Sequence, residues 1–144
     1  MLVQQILNAK PEQGVATVPP GTTLREAVEV LSVRRIGAVI VSSDGKRVAG
    51  ILSERDVVRE LGKRGADCLD DPVERVMTAA IVGCTRSDTA DQVLVRMTEG
   101  RFRHMPVMEG GQMVGLISIG DVVKARLDEL SMEKDALEGM IKGF

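Results

Sequence analysis

Two short segments of the chain place the same polar residues at the same spacing: Gly50-x-x-Ser53-x-x-Asp56 and Gly115-x-x-Ser118-x-x-Asp121. In the first, an apolar run ends at the serine and an apolar-periodic stretch of Val57, Val58 and Leu61 follows at once. A serine at such a junction is a natural N-cap, and an acid three residues later completes something close to a capping box. For a single copy, a capped helix with an acid favoured by the helix dipole is an adequate account. The duplication opens a second one. Free N–H groups at a helix start bind phosphate readily, and a hydroxyl at the cap adds a further donor. The aspartate then offers two acceptor oxygens of the kind that hold the vicinal hydroxyls of a ribose. The glycine three residues ahead of the cap removes a side chain where another group comes close to the strand end. Together these favour a ribose-phosphate site over a cap alone.

The elements that must position these residues are themselves duplicated. Leu24, Ala27, Val28 and Leu31 align with Ala90, Val93, Leu94 and Met97, and both quartets follow the i, i+3, i+4, i+7 rule of a buried helix face. Each half reads as a β-α-β-β-α unit. In the first, the strand 15–18 leads to the helix 23–34, the strands 37–41 and 48–52, and a helix over 53–61. The second repeats them as 81–84, 89–99, 104–108, 113–117 and a helix from 118 onward. Asp44-Gly45 and Gly110-Gly111 supply the positive-φ turns of the two hairpins. A lead-in is duplicated as well, since Val3-Gln4-Gln5-Ile6-Leu7 resembles Val73-Glu74-Arg75-Val76-Met77. The expected division is residues 1–70 for the first repeat with its lead-in helix, 71–126 for the second, and 127–144 for a helical extension. In that last helix Val123, Leu127, Leu130, Leu137 and Ile141 recur at three, four and seven residues. Such a stripe is covered either by the helix's own domain or by a partner subunit.

Composition narrows the function classes. Of the 144 residues 44% are hydrophobic and mostly aliphatic, with Phe102 and Phe144 the only aromatics, which describes a globular α/β (α+β) chain with an aliphatic core. A net charge of −2 gives no electrostatic case for nucleic acid, and the absence of Trp and Tyr removes the usual base-stacking platforms. Cys68 and Cys84 are read as reduced thiols of a cytoplasmic protein. No apolar run reaches the ~20 residues of a membrane helix. One histidine and two separated cysteines make no four-ligand zinc pattern, and no Gly-x-Gly-x-x-Gly or Walker-type lysine is present. No catalytic residue and no metal ligand is assigned. The chain reads as a binding module and not an enzyme.

Two tandem β-α-β-β-α units with G-h-h-S-x-x-D at the end of the last strand resemble a pair of CBS domains, the Bateman module, here in a stand-alone form. The run Arg101-Phe102-Arg103-His104-Met105-Pro106-Val107 also matches that family's second-strand pattern, a basic residue or histidine ahead of an apolar-Pro-Val segment. The resemblance implies a pseudo-two-fold module that binds AMP, ADP, ATP or NAD(H) in the cleft between its repeats and needs no catalytic cofactor. It implies that Asp56 and Asp121 hold ribose, that Ser53 and Ser118 touch phosphate, and that Val15, Ala16 and Thr17, with Ile81, Val82 and Gly83, line the adenine. It also implies that Arg103 and His104, ahead of Met105 and Pro106, reach the phosphate of a ligand held by Asp56, with Arg55 as a third cation. The first repeat has Glu54-Arg55 where the second has Ile119-Gly120. The site at Asp56 is therefore expected to be the tighter. A homodimer and a regulated partner protein are expected to accompany the ligand. The alternative is a structural or dimerisation module whose S-x-x-D motifs only cap helices.

Overall fold

Threonine starts the first long helix of each repeat. In the computed structural model, which describes residues 1–10 and 14–142, the Thr23 hydroxyl accepts the Glu26 N–H and the Thr89 hydroxyl that of Gln92. Chain order runs α1 (Val3–Ala9), β1 (Thr17–Val18), α2 (Leu24–Arg34), β2 (Ala38–Val41), β3 (Gly50–Ser53) and α3 (Glu54–Arg64). Two 3₁₀ turns, Gly65–Asp70 and Val73–Arg75, lead into α4 (Ala90–Gly100), β4 (His104–Glu109), β5 (Gln112–Ser118) and α5 (Ile119–Ile141). Arg35 and Arg101 end α2 and α4 in the left-handed region, at φ 53° and 57°. Glycine is the usual residue for that role.

The described residues form two compact units. In the unit that carries Asp56, β2 lies between β1, which pairs with it in parallel, and β3, which pairs antiparallel. All four β2 side chains are buried, as a central strand covered on both faces requires. Leu24, Ala27 and Leu31 of α2 pack with Val39, Val41, Leu52 and Val57. The unit that carries Asp121 repeats the plan: Ala90, Val93 and Met97 of α4 pack with Met105, Val107, Ile117 and Val122.

The lead-in segments are exchanged. Val3 and Ile6, expected with the first repeat, are buried in the core of the Asp121 unit, and Val73 is buried in the core of the Asp56 unit. Matching backbone bonds hold both. Leu24 donates to the Asp71 carbonyl and Val73 to that of Thr22; Ala90 donates to Met1 and Val3 to Asp88. The motif glycine makes room for the lead-in on each unit. A side chain at Gly50 would collide with the Met77 side chain, and one at Gly115 would come within 2.7 Å of Leu7 Cδ2. The group that needs the glycine's bare strand end is thus an apolar side chain from a lead-in.

The join after α3 is less polar inside than it reads. Cys68, in the 3₁₀ turn, has no exposed surface and belongs to the core. Arg64 pairs with both Glu60 and Asp71 to close the turn.

The first strand of the second repeat is nearly absent. Residues 15–18 and 81–84 are both expected to be strands, yet the second contributes a single parallel bridge, Cys84 to Val107. Its counterpart, Val18 opposite Val41, extends by one more pair to Thr17 and Ile40. Ile40 donates its N–H to the Ala16 carbonyl at 3.0 Å. The aligned residue in the second repeat is Pro106, which has no N–H to give to Val82.

Candidate functional site

Ser53 and Ser118 each sit where a strand ends and a helix begins. Both are extended, with φ near −100°, and the next residue is helical. Glu54 and Ile119, the first helical residues, donate to the carbonyls of Gly37 and Arg103, so each helix start is pinned to the residue just ahead of the neighbouring strand of its own unit. The Asp56 N–H donates to Ser53 Oγ at 3.3 Å and the Ser53 N–H returns to Asp56 Oδ2 at 2.9 Å. Ser53 Oγ also donates to that oxygen at 3.1 Å. Ser118 and Asp121 reproduce the exchange at 3.1 Å and 2.8 Å. Both motifs are complete capping boxes. Such boxes stabilise a helix by roughly 0.5–2 kcal/mol.

The two aspartates differ in what neutralises them. Asp56 is 9% exposed at its side chain and faces Arg59 of its own helix, 3.5 Å from Oδ1 and itself 62% exposed. Asp121 meets Lys10, whose Nζ lies 2.8 Å from Oδ2 and donates a second bond, also 2.8 Å, to the Leu116 carbonyl. Burial opposes the charge on Asp121, but the Lys10 and Ser118 donors and the lysine's charge outweigh it, and the carboxyl is held below the usual aspartate value. Lys10 was not among the residues singled out in the sequence. It lies 111 positions from its partner, and in the repeat alignment it matches Ala80. A polar residue at one lead-in and a small apolar one at the other is a faint signal.

The remaining expected residues divide by unit. Val15, half-buried, and Ala16, buried, lie just before β1, and Thr17 is exposed on β1, the strand parallel to β2. Arg55 is exposed on the first turn of α3. Of the second repeat's first strand, Ile81 (half-buried) and Val82 (exposed) fall in the Asp56 unit, and Gly83, half-buried, in the Asp121 unit. Gly83 is tightly placed, since a side chain there would come within 3.1 Å of Met108 and 3.2 Å of the Pro106 carbonyl. Met105 and Pro106 are buried, His104 is half-buried and Arg103 exposed. Arg103 thus stands beside Ser118, the cap of its own repeat, through the bond from Ile119. Cys84 is buried, and burial pushes its thiol up to about 11, which leaves it a strand residue without nucleophilic character at neutral pH. No helix among the described residues is long and apolar enough to cross a membrane.

Two β-α-β-β-α units, each closing on a serine-capped helix with an aspartate in its first turn, define a duplicated α/β module. The family model for the CBS domain matches residues 4–63 and again 73–128. The chain belongs to the CBS domain family and carries its two repeats in tandem. Among solved structures, the CBS-domain containing protein ATU1752 from Agrobacterium tumefaciens is 44% identical, with a TM-score of 0.83 over 88% of this chain and 99% of that one. An uncharacterized 17.7 kDa protein of Acidianus ambivalens is 32% identical over 98% of this chain and 82% of its own length. The Arabidopsis thaliana protein CBSCBSPB5 is also 32% identical, but the chain spans only 22% of it. The same fold occurs in the Pyrobaculum aerophilum protein PAE2072, solved with AMP, at 24% identity, covering 92% of this chain and 99% of that one with a TM-score of 0.76. It occurs too in the CBS domain pair of MJ0100, solved with 5′-methylthioadenosine and S-adenosylmethionine, at 20% identity, 90% and 98% coverage and a TM-score of 0.76. No catalytic family is among these matches, and the family's members are in general regulatory.

Proposed function

We propose that this chain is a regulatory module that binds an adenosine-containing ligand, with AMP the first candidate and ADP, ATP and NAD(H) the others. The observation that carries this reading is the pair of S-x-x-D helix starts in a fold whose relatives PAE2072 and MJ0100 were solved with adenosine compounds. In each repeat the cap serine, the acid and the segment corresponding to β1 are the groups proposed to meet phosphate, ribose and adenine. Arg55, Arg103 and His104 are proposed as phosphate contacts. Binding acts by favouring one of two states of the module or of its complex with a regulated protein. Two buried free thiols support a reducing, cytoplasmic setting.

A homodimer is part of the proposal. Val58 on α3 and its counterpart Val123 on α5 are both exposed, and Leu127, Leu130, Leu137 and Ile141 continue the α5 stripe in the open. Their spacing is the three-and-four alternation of a coiled-coil seam, broken by Lys134, and a second copy of the same seam fits it. Light scattering is expected to give twice the chain mass.

The test of ligand binding is a thermal-shift series with AMP, ATP, NAD and S-adenosylmethionine. A ligand at one hundred times its Kd stabilises by about 2.7 kcal/mol, or about 5–10 °C for a chain of this size. If none moves the midpoint, the ligand reading fails. The second reading, a structural or dimerisation module, is favoured by one observation: both capping boxes are complete without a ligand, and both acids already face a cation.

A further inference from the structure

Lys10 is the one cation of the described residues that an exchanged lead-in brings onto a motif aspartate. Its ammonium is held at two points, by Asp121 Oδ2 and by the Leu116 carbonyl, each at 2.8 Å. Both partners belong to the end of β5 and the first turn of α5, where the ribose of the proposed ligand would be placed. The side chain is 35% exposed and Asp121 25%, so the pair is partly shielded from water. Among the described residues the other motif has no such partner. Its lead-in carries Ala80 at the aligned position. The cation that Asp56 faces is Arg59, which lies at 3.5 Å, is 62% exposed and comes from the same helix one turn on.

We propose that Lys10 is an internal competitor at the Asp121 site: its ammonium holds the carboxylate that a ribose hydroxyl would need, so the chain takes up one adenosine nucleotide, at Asp56, and leaves the second site closed. This rests on the nucleotide reading above. The physical argument is one of donors. Both would donate a charge-assisted bond to the carboxylate, but the lysine brings a full positive charge to 2.8 Å from Asp121 Oδ2, an attraction that a neutral ribose hydroxyl does not supply. A ligand at Asp121 must also strip the lysine from the Leu116 carbonyl. At Asp56 a ligand has only to displace an i, i+3 arginine that is 62% exposed and stands 3.5 Å from an acid itself 9% exposed, a pairing of the weak within-helix class. The inequality between the sites runs in the direction that the Arg55 comparison gave, but its main cause is a lysine on the weaker site and not an arginine on the stronger one.

Isothermal titration with AMP tests this on four versions of the full chain: wild type, Lys10→Met, Asp56→Ala and the double variant Lys10→Met/Asp56→Ala. Expected stoichiometries are one, two, none and one per chain, with affinity at the Asp121 site at least tenfold higher once Lys10 is replaced. Lys10→Ala serves as a second replacement if Lys10→Met lowers the melting midpoint strongly. Two sites in the wild type, or a single site in both Lys10 variants, overturns the competitor role while leaving nucleotide binding intact. A loss of binding in the Lys10 variants also overturns it, because the lysine would then be assisting the ligand. No uptake of AMP, ATP or NAD by any version overturns the nucleotide reading itself.

Discussion

The Asp56 and Asp121 helix starts have the same backbone, the same capping bonds and the same glycine three residues upstream, yet each acid meets a different cation. Asp56 faces an arginine from its own helix at 3.5 Å, and Asp121 a lysine 111 residues away at 2.8 Å with a second anchor on a strand carbonyl. Duplication copied the scaffold and left the partners free to diverge. The lesson is that a local motif fixes where a carboxylate stands, while what the carboxylate pairs with is set at Asp121 by chain that is remote in sequence.

The largest effect expected from breaking this comparison is on ligand uptake. Asp56→Asn is predicted to weaken AMP binding by about 10- to 150-fold, the range for a lost hydrogen bond to a charged group. Asp121→Asn is predicted to leave it within twofold. Equal losses in the two variants, read by titration, would remove the asymmetry.

A smaller effect concerns the glycines, where the two units are expected to behave alike. Gly50→Ala and Gly115→Ala each push a methyl group into a lead-in side chain, Met77 or Leu7, and are predicted to cost about 1–3 kcal/mol. Met77→Ala added to Gly50→Ala is predicted to recover part of that loss, measured as a coupling energy by urea denaturation. Strict additivity would show that the glycine is not there for the lead-in.

The smallest effect separates the two ion pairs by acid. Asp121 is held below its usual value, so the stability from its ionised form is present above the unfolded value near ~3.9 and is lost as pH falls through the lower folded value. Lys10→Met removes a principal cause of that shift. Denaturation from pH 6 to pH 2 is predicted to give a wild-type advantage over Lys10→Met at neutral pH that fades towards pH 2. Arg59→Met is predicted to cost under ~0.5 kcal/mol at pH 7, as an i, i+3 pair within one helix does. A Lys10→Met deficit that persists undiminished at pH 2 would mean that packing of the lysine stem, and not its charge, holds the segment.

Much of the architecture was legible because it rests on local rules applied twice. Thr23 and Thr89 cap where β-α junctions demand it, the apolar quartets of α2 and α4 are buried, and the S-x-x-D boxes close as their spacing dictates. What stayed hidden was non-local. Nothing in the periodicity of residues 3–7 says which core receives them, since either would bury Val3 and Ile6 equally well. The strand over 81–84 failed for a reason visible only once its partner was known, because Pro106 is harmless in β4 and costly only to the chain beside it. Lys10 combined both difficulties: its role depends on the exchange, and its helix offers no pattern to mark it.

The exchange of lead-ins also orders events in time. As the chain emerges from a ribosome, Val3 and Ile6 have no completed core to enter until α4 and the strands after it have been made. The bonds of Val3 to Asp88 and of Gln4 to Arg86, and that of Ala90 to Met1, close a loop longer than one repeat. At about 5–20 residues per second the delay before Ser118, the end of β5, appears is roughly 6–22 seconds. For that interval the first amphipathic segment is exposed, and such long-range closures are slow steps in folding. A chain interrupted between the repeats would leave α1 without its docking site and β3 without the side chain that covers its glycine.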